Sequence, residues 1–418
     1  MSRSLKIRSD CIQQAKLALH RNGFGSQRAF AEELGLALST LSRFLTGKTV
    51  DYATFVEICA KLGLDCREIS DRGESRVLSE SVDVKSFRAI ANRRLDWGEA
   101  PDVSVFYGRS DELTTLEQWI VEDNCRLVVL LGMGGIGKTA LAAKLAQQLQ
   151  SGFEFVIWRS LRNAPPVEEI LAELIQFLSN QQETNLPINL DGRILRLINY
   201  LRSRRCLIVL DNAESILQAG DEVRHSFASP TGRYREGYEG YGELLKCVGE
   251  TNHHSSLILT SREKPQGLAA LEGSTLPVRC LQLTGLPSAQ GREIFSAKGY
   301  FTGSEDEWTI VISRYGGNPL ALKIVASGVT DFFDSSISRF LEFLKQGSFI
   351  FDDIRDLLER QFQRLSRIEQ EIMYWLAINR EPVLLEELLE DFVSPISASE
   401  LLQALGSLQR RSLIEKNN

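Results

Sequence analysis

The run Gly132-Met133-Gly134-Gly135-Ile136-Gly137-Lys138-Thr139-Ala140 carries the clearest chemistry in the chain. Its spacing fits G-x-x-x-x-G-K-[ST]. In that pattern glycines let backbone N–H groups wrap phosphates, the lysine reaches the β- and γ-phosphates, and the hydroxyl ligates Mg²⁺. An apolar run, RLVVLLG (126–132), precedes it and an Ala-rich helical run follows. A helix N-terminus would add the positive end of its dipole to the phosphate cradle. That context separates a phosphate loop from a Gly-rich turn that merely contains Lys-Thr. The expectation is a nucleoside triphosphate bound with Mg²⁺.

Two further segments supply charge. In CLIVLDNAE, Asp211 ends an apolar run, where a carboxylate holds Mg²⁺ directly or through water. Glu214 is the better base for activating water, while Asn212 can only position it; equally, Glu214 can simply cap the next helix. In LILTSRE, Arg262 follows a third apolar run and would bring a guanidinium near the γ-phosphate. The bland alternative is a solvated arginine at a strand end. Lys138, Asp211, Glu214 and Arg262 are the candidate catalytic set, with Thr139 and Asp211 on the metal.

These groups need a scaffold. Apolar runs at 126–132, 153–160, 205–211 and 255–261 alternate with amphipathic segments such as PVEEILAELIQFL and GRILRLINYLRS. Near-continuous Val/Ile/Leu strands separated by helices imply a parallel sheet covered on both faces. From about Leu286 onward helical patterns dominate, and residues 8–69 read as four or five short helices. Between them, from about Ser70 to Val103, lies a polar, charged linker with weak helical periodicity around Val84 to Ala91 and one docking candidate, Trp97. The Gly- and Tyr-rich stretch 219–242 reads as a long loop beside the site.

A chain of 418 residues exceeds one core and predicts two to four domains. Seven cysteines, an odd number with no C-x-x-C pair, read as reduced thiols, buried at Cys125 and Cys206. The start lacks an apolar signal core and no run of eighteen apolar residues occurs, so a cytoplasmic protein without a membrane span is expected. Net charge is −7, yet residues 1–70 hold ten Lys/Arg against seven Asp/Glu, net +3, leaving −10 for the rest. Any nucleic-acid contact therefore belongs to the amino-terminal head.

Taken together the motifs resemble the NB-ARC branch of the STAND ATPases, over about residues 104–415. FYGRSDEL (106–113) resembles the element whose backbone embraces adenine, which implicates Phe106, Tyr107, Gly108 and Arg109. GGNPLAL (316–322) resembles the element in which Pro319, with Leu320, packs beside the base. TSR (260–262) is similar to the sensor strand, and LIVLDNAE stands where the family has two adjacent acids, Asn212 replacing the second. That replacement implies slow hydrolysis or a shift of the role to Glu214. The family's Met-His-Asp element would follow just beyond RRSLIEKNN, and none of the four histidines can take its place. A repeat sensor, often of WD repeats, would follow in turn.

At the amino terminus, SQRAFAEELGLALSTLSRFLTGK (26–48) resembles the helix-turn-helix of phage-repressor-like proteins. Ala31, Leu34 and Gly35 would form the corner, with Leu38, Leu41 and Leu45 packed inward. That leaves Ser39, Thr40, Ser42 and Arg43 outward to meet base edges or phosphates, with Gln27 placed for a phosphate or base contact and Lys48 for the DNA backbone. A small helical bundle that holds a partner protein is the alternative.

The expected fold is therefore multidomain. An all-α helix-turn-helix domain (1–72) and a linker (73–103) lead to a P-loop NTPase α/β three-layer domain with a parallel sheet (104–285). A helical domain (286–346) and a winged-helix domain (347–418) follow. The resemblance implies ATP and ADP as ligands, autoinhibition with ADP, and a homo-oligomer in the ATP state. Two other readings stay open: a DNA-binding regulator with a static nucleotide domain, and a steady-turnover remodelling ATPase.

Overall fold

The computed structural model describes residues 4–7, 11, 12, 15, 18, 27–34, 36–62, 64, 69, 94–183, 185–218, 232–346, 351–379, 383–392, 396–411, 413 and 414. Gly35, the periodicity at 84–91 and most of the Gly/Tyr-rich stretch (219–231) lie outside them. Two compact units divide the chain, residues 1–82 and 83–418.

In the first unit, helices α1 (Gln27–Glu33) and α2 (Leu38–Leu45) are joined by a tight turn in which Leu36 N–H donates to the Ala31 carbonyl at 2.9 Å. Helix α3 (Tyr52–Leu62) completes a core around Phe30, Leu41, Phe44, Phe55 and Ile58, and the rings of Phe44 and Phe55 lie 5.1 Å apart. Two expectations are corrected. The unit is not all-α, because β1 (Ser4–Leu5) pairs antiparallel with β2 (Val50–Asp51). Leu38 is 48% exposed, since it opens α2 and the inward face runs through Leu41, Phe44 and Leu45 at i, i+3, i+4 spacing. Ser39, Ser42, Arg43, Gln27 and Lys48 are exposed and Thr40 is half-buried.

The second unit is built on a six-stranded, wholly parallel sheet in the order β3-β5-β6-β7-β4-β8. The strands are β3 (Arg94–Asp96), β4 (Leu127–Leu131), β5 (Phe155–Ser160), β6 (Cys206–Asp211), β7 (Ser256–Ser261) and β8 (Val278–Gln282). Side chains alternate between two apolar layers. Leu127, Val129 and Leu131 face one, with α6 (Val167–Leu178), α7 (Leu190–Ser203) and α8 (Gly240–Glu250); Val128 and Leu130 face the other, with α4 (Ser110–Glu117) and α5 (Lys138–Leu149). The parallel, doubly covered sheet is as expected, and four of its strands match the apolar runs.

Both edges differ from the expectation. Strand β3 falls within the stretch read as a linker, and Trp97 beyond it packs on the sheet's core. Strand β8 went unread because VRCLQ is neither a continuous apolar run nor a strict alternation, and it is only partly buried. At the Gly/Tyr-rich stretch, α8 begins at Gly240 rather than beyond a loop.

Four helices follow: α9 (Ser288–Ser296), α10 (Glu305–Arg314), α11 (Pro319–Phe333) and α12 (Ile337–Lys345). They enclose Phe295 and Trp308 at 5.0 Å. A last group, α13 (Asp352–Phe362), α14 (Arg367–Asn379), α15 (Leu385–Glu390) and α16 (Ala398–Arg410), packs around Leu365, Ile372, Leu401 and Leu408. Among the described residues this group has no strand.

Candidate nucleotide site

Strand β4 ends at Leu131 and the chain turns through residues 132–137 into α5. Gly135 (φ +80°) and Gly137 (φ +100°) hold left-handed conformations that permit this turn. A side chain at Gly135 would also stand 2.8 Å from Asn318 Oδ1 and Leu320 Cβ. Lys138 is 7% exposed, and its Nζ donates to the carbonyls of Gly132 (2.8 Å) and Met133 (3.0 Å). An ammonium has three N–H groups, so one stays available to a phosphate. Burial pushes the Lys138 pKa down to about 8, opposed chiefly by the nearby charge of Glu214.

Strand β6 delivers Asp211 beside α5. Its Oδ1 accepts from Thr139 Oγ1 (2.9 Å) and Thr260 Oγ1 (2.5 Å), and its Oδ2 accepts from Asn212 Nδ2 (2.9 Å). Burial raises the Asp211 pKa, against the hydroxyls of Thr260 and Thr139. Thr139 and Asp211 are therefore adjacent oxygen donors of the kind a Mg²⁺ ion takes in such a loop, and the residues fit that ion. Asn212 braces Asp211. Its side-chain amide donates to Asp211, and its backbone N–H donates to Thr260 Oγ1 at 2.9 Å from a left-handed backbone (φ +65°).

Glu214 does not cap a helix. It lies within the turn Ala213–Ile216, 7% exposed, with Oε1 2.9 Å from Arg262 Nε and Oε2 buried without a hydrogen-bond partner. Nor is Arg262 a freely solvated strand end, because this ion pair holds it over the site. The pair is close, but Nε–H is not aimed for a hydrogen bond.

The remaining predicted contacts divide. Arg109 (φ +65°, 4% exposed) braces the loop: Nη2 donates to the carbonyls of Ile136 (3.2 Å) and Thr284 (2.6 Å), and Nη1 pairs with Glu112 at 2.7 Å. Gly108 abuts Gln290 so closely that a β-carbon would lie 2.2 Å from its Oε1. Phe106, Met133 and Ala140 pack on the core under α5, whereas Tyr107 packs on the helical core of α9–α12. Pro319 opens α11 at its first position, and Leu320 N–H donates to the Gly135 carbonyl at 3.3 Å. Gln27, Ser39, Thr40, Ser42, Arg43 and Lys48 belong to the first unit.

Several functional groups escaped the sequence reading. Asn318 caps α11 through Oδ1 and donates Nδ2 to the Gly134 carbonyl at 3.0 Å, a role its place before Pro319 signals. Glu263, 1% exposed, accepts at Oε1 from Arg411 Nη1 (2.8 Å) and Arg364 Nη2 (3.2 Å). Gln361 lies beside Gly134. No local pattern marks these last four, because their partners are about a hundred or more residues away.

Residues 109–219 match the NB-ARC domain. An uncharacterized WD repeat-containing protein of Nostoc sp. is 59% identical over 394 residues, which is 92% of this chain and 31% of that protein. The disease resistance protein SUMM2 of Arabidopsis thaliana is 28% identical over 117 residues, 27% of this chain and 13% of its own length. Among solved structures, a STAND protein with a tetratricopeptide repeat sensor from Pyrococcus horikoshii aligns over 77% of this chain and 41% of its own. The TM-score is 0.42 and the identity 21%. The chain thus spans about a third of the Nostoc relative's length. The NB-ARC match covers the phosphate loop and strands β4, β5 and β6 of the sheet, and it implies nucleotide binding. Among the described residues no helix is long and apolar enough to cross a membrane.

Proposed function

We propose that this protein is an ATP/ADP-operated signalling switch. With ADP the carboxyl-terminal helices stay closed on the nucleotide domain. With ATP the molecule opens and self-associates, clustering its amino-terminal units. The observation that carries this reading is that the phosphate loop is also a contact surface for those helices. Gly134 and Gly135 are bonded by Asn318 and Leu320, and the end of β7 is gripped by Arg364 and Arg411. Nucleotide and closure therefore share one set of atoms, and a ligand with different affinity for the two states shifts their balance.

In this scheme Lys138 grips the β- and γ-phosphates, Thr139 and Asp211 hold Mg²⁺, and Arg262 meets the outermost phosphate. The element 106–109 together with Pro319 and Leu320 encloses the base. Mg²⁺ when bound offsets phosphate charge. Glu214 is the base for water, slowed by its ion pair with Arg262, so turnover resets the switch and does not drive it. Steady remodelling activity fits less well, because Asn212 stands in place of a second acid after Asp211.

The exposed face of α2, with Ser39, Ser42 and Arg43, supports DNA as the output partner, and a partner protein is the alternative. The domain scheme is 1–72, 104–285, 286–346 and 347–418, the last a winged helix. Light scattering with ADP and with a non-hydrolysable ATP analogue tests the switch. A larger mass with the analogue, abolished by Lys138→Ala, is expected; one mass in both states would overturn it.

A further inference from the structure

The space beside Gly134 is filled by two side chains from distant parts of the chain. A β-carbon at Gly134 would stand 2.9 Å from Gln361 Nε2 and 3.2 Å from the guanidinium carbon of Arg262. Gln361 lies in the last turn of α13, is 7% exposed, and its Nε2 has no hydrogen-bond partner. A buried amide left in that condition is uncommon in folded proteins and calls for an explanation. Between Gln361, Arg262, Arg364 and the loop residues Met133 and Gly134 the free cavity is about 20 Å³. That is room for roughly one water molecule. A phosphoryl group with its outer oxygens does not fit.

Gln361 is not free to swing aside. Three residues further on, Arg364 Nη2 donates to Glu263 Oε1 and to the Glu214 carbonyl, both at 3.2 Å. Arg411 donates to the same Glu263 oxygen and approaches Glu369 Oε1 at 3.6 Å, and Glu369 in turn accepts from the Ser407 hydroxyl. Glu263 directly follows Arg262, so this buried clamp fixes the end of α13 to the end of β7. Gln361 is the side chain it presses against the phosphate loop.

The geometry points to Gln361 as a gate against the third phosphate. Lysine in such a loop reaches the β- and γ-phosphates, and an arginine at the carboxyl edge of the sheet meets the outermost one. Gln361 shares the position of Arg262 relative to Gly134. In the closed arrangement the site accepts a nucleoside diphosphate, and the triphosphate enters only when α13 withdraws. The inference rests on the proposed switch and adds the residue that makes its resting state selective.

The test is the ratio of dissociation constants for ADP and a non-hydrolysable ATP analogue, measured by calorimetry on the full chain with Mg²⁺. For Gln361→Ala the ratio should move toward the triphosphate by about tenfold, with ADP affinity nearly unchanged. Gln361→Asn, a shorter amide, should move it less in the same direction and decides the matter if the alanine variant does not fold. Arg364→Gln, which loosens the clamp without touching the loop, should also favour the triphosphate. An unchanged ratio in these variants overturns the gate. So does weaker binding of the analogue, which would make Gln361 a phosphate ligand instead. A wild-type chain that binds neither nucleotide sinks the proposed function and the gate with it.

Discussion

The inner wall of the site stands on the ends of β4, β6 and β7, strands whose residues are all buried. The outer wall, made of Asn318, Gln361, Arg364 and Arg411, is held by polar contacts and by one carboxylate shared between two arginines. Apolar burial is non-directional and persists through small movements, so the inner wall keeps its shape whatever binds. Buried ion pairs behave differently: intact, they add little net stability, but losing one partner leaves an uncompensated charge. A wall of that kind is either seated or released. The first wall suits gripping a ligand, and the second suits responding to it.

Removing the shared carboxylate breaks the outer wall most severely. Glu263→Ala leaves Arg364 without its carboxylate and Arg411 with only Glu369 at 3.6 Å, and should cost about 3–5 kcal/mol in urea unfolding. A loss below about 1 kcal/mol would place those arginines in water instead. On the inner wall, Lys138→Ala should weaken ATP and ADP binding by roughly a hundredfold, about 2.7 kcal/mol. The strands beneath it should unfold no earlier, as followed by thermal melting.

A pH series separates the walls further. Lys138 titrates near 8 in the folded protein against an ordinary 10.5. Above pH 8 it loses the charge that phosphates need, so nucleotide affinity should fall by up to about tenfold per pH unit. The unfolded chain keeps that proton until about 10.5. It therefore binds more protons through this window, and the contribution of Lys138 to stability rises as pH goes from 8 to 10.5. Affinity and stability moving in the same direction would contradict the assignment. The smallest effect is expected for Asn318→Ala, which removes a helix cap and the bond to Gly134: about 1 kcal/mol, with modestly weaker nucleotide binding.

The same division explains what could be read in advance. The phosphate loop, Asp211 and Arg262 sit at the ends of apolar runs, where local spacing carries the whole message. The four central strands were legible for that reason, and the edge strands β3 and β8 were not, β3 being only three residues and β8 an apolar run broken by Arg279. Glu214 was open between a base for water and a helix cap, and its place inside the turn beside Arg262 removes the cap. Leu38 was misplaced by one step of a helical face. Glu263, Arg364, Arg411 and Gln361 meet across roughly 100 to 230 residues. A charged residue on a helix looks the same in sequence whether it faces water or a buried partner.

Arg262 and Glu263 are joined by a single peptide bond, one paired with Glu214 beside the phosphate loop and the other with arginines of the carboxyl-terminal helices. Linkage makes such a pairing symmetrical. If, as proposed, ATP loosens the hold on Glu263, release of α13 and α16 must raise the preference for ATP by the same factor. Mechanical load on the carboxyl-terminal end would then be convertible into nucleotide exchange, and the efficiency of that conversion could be read in either direction.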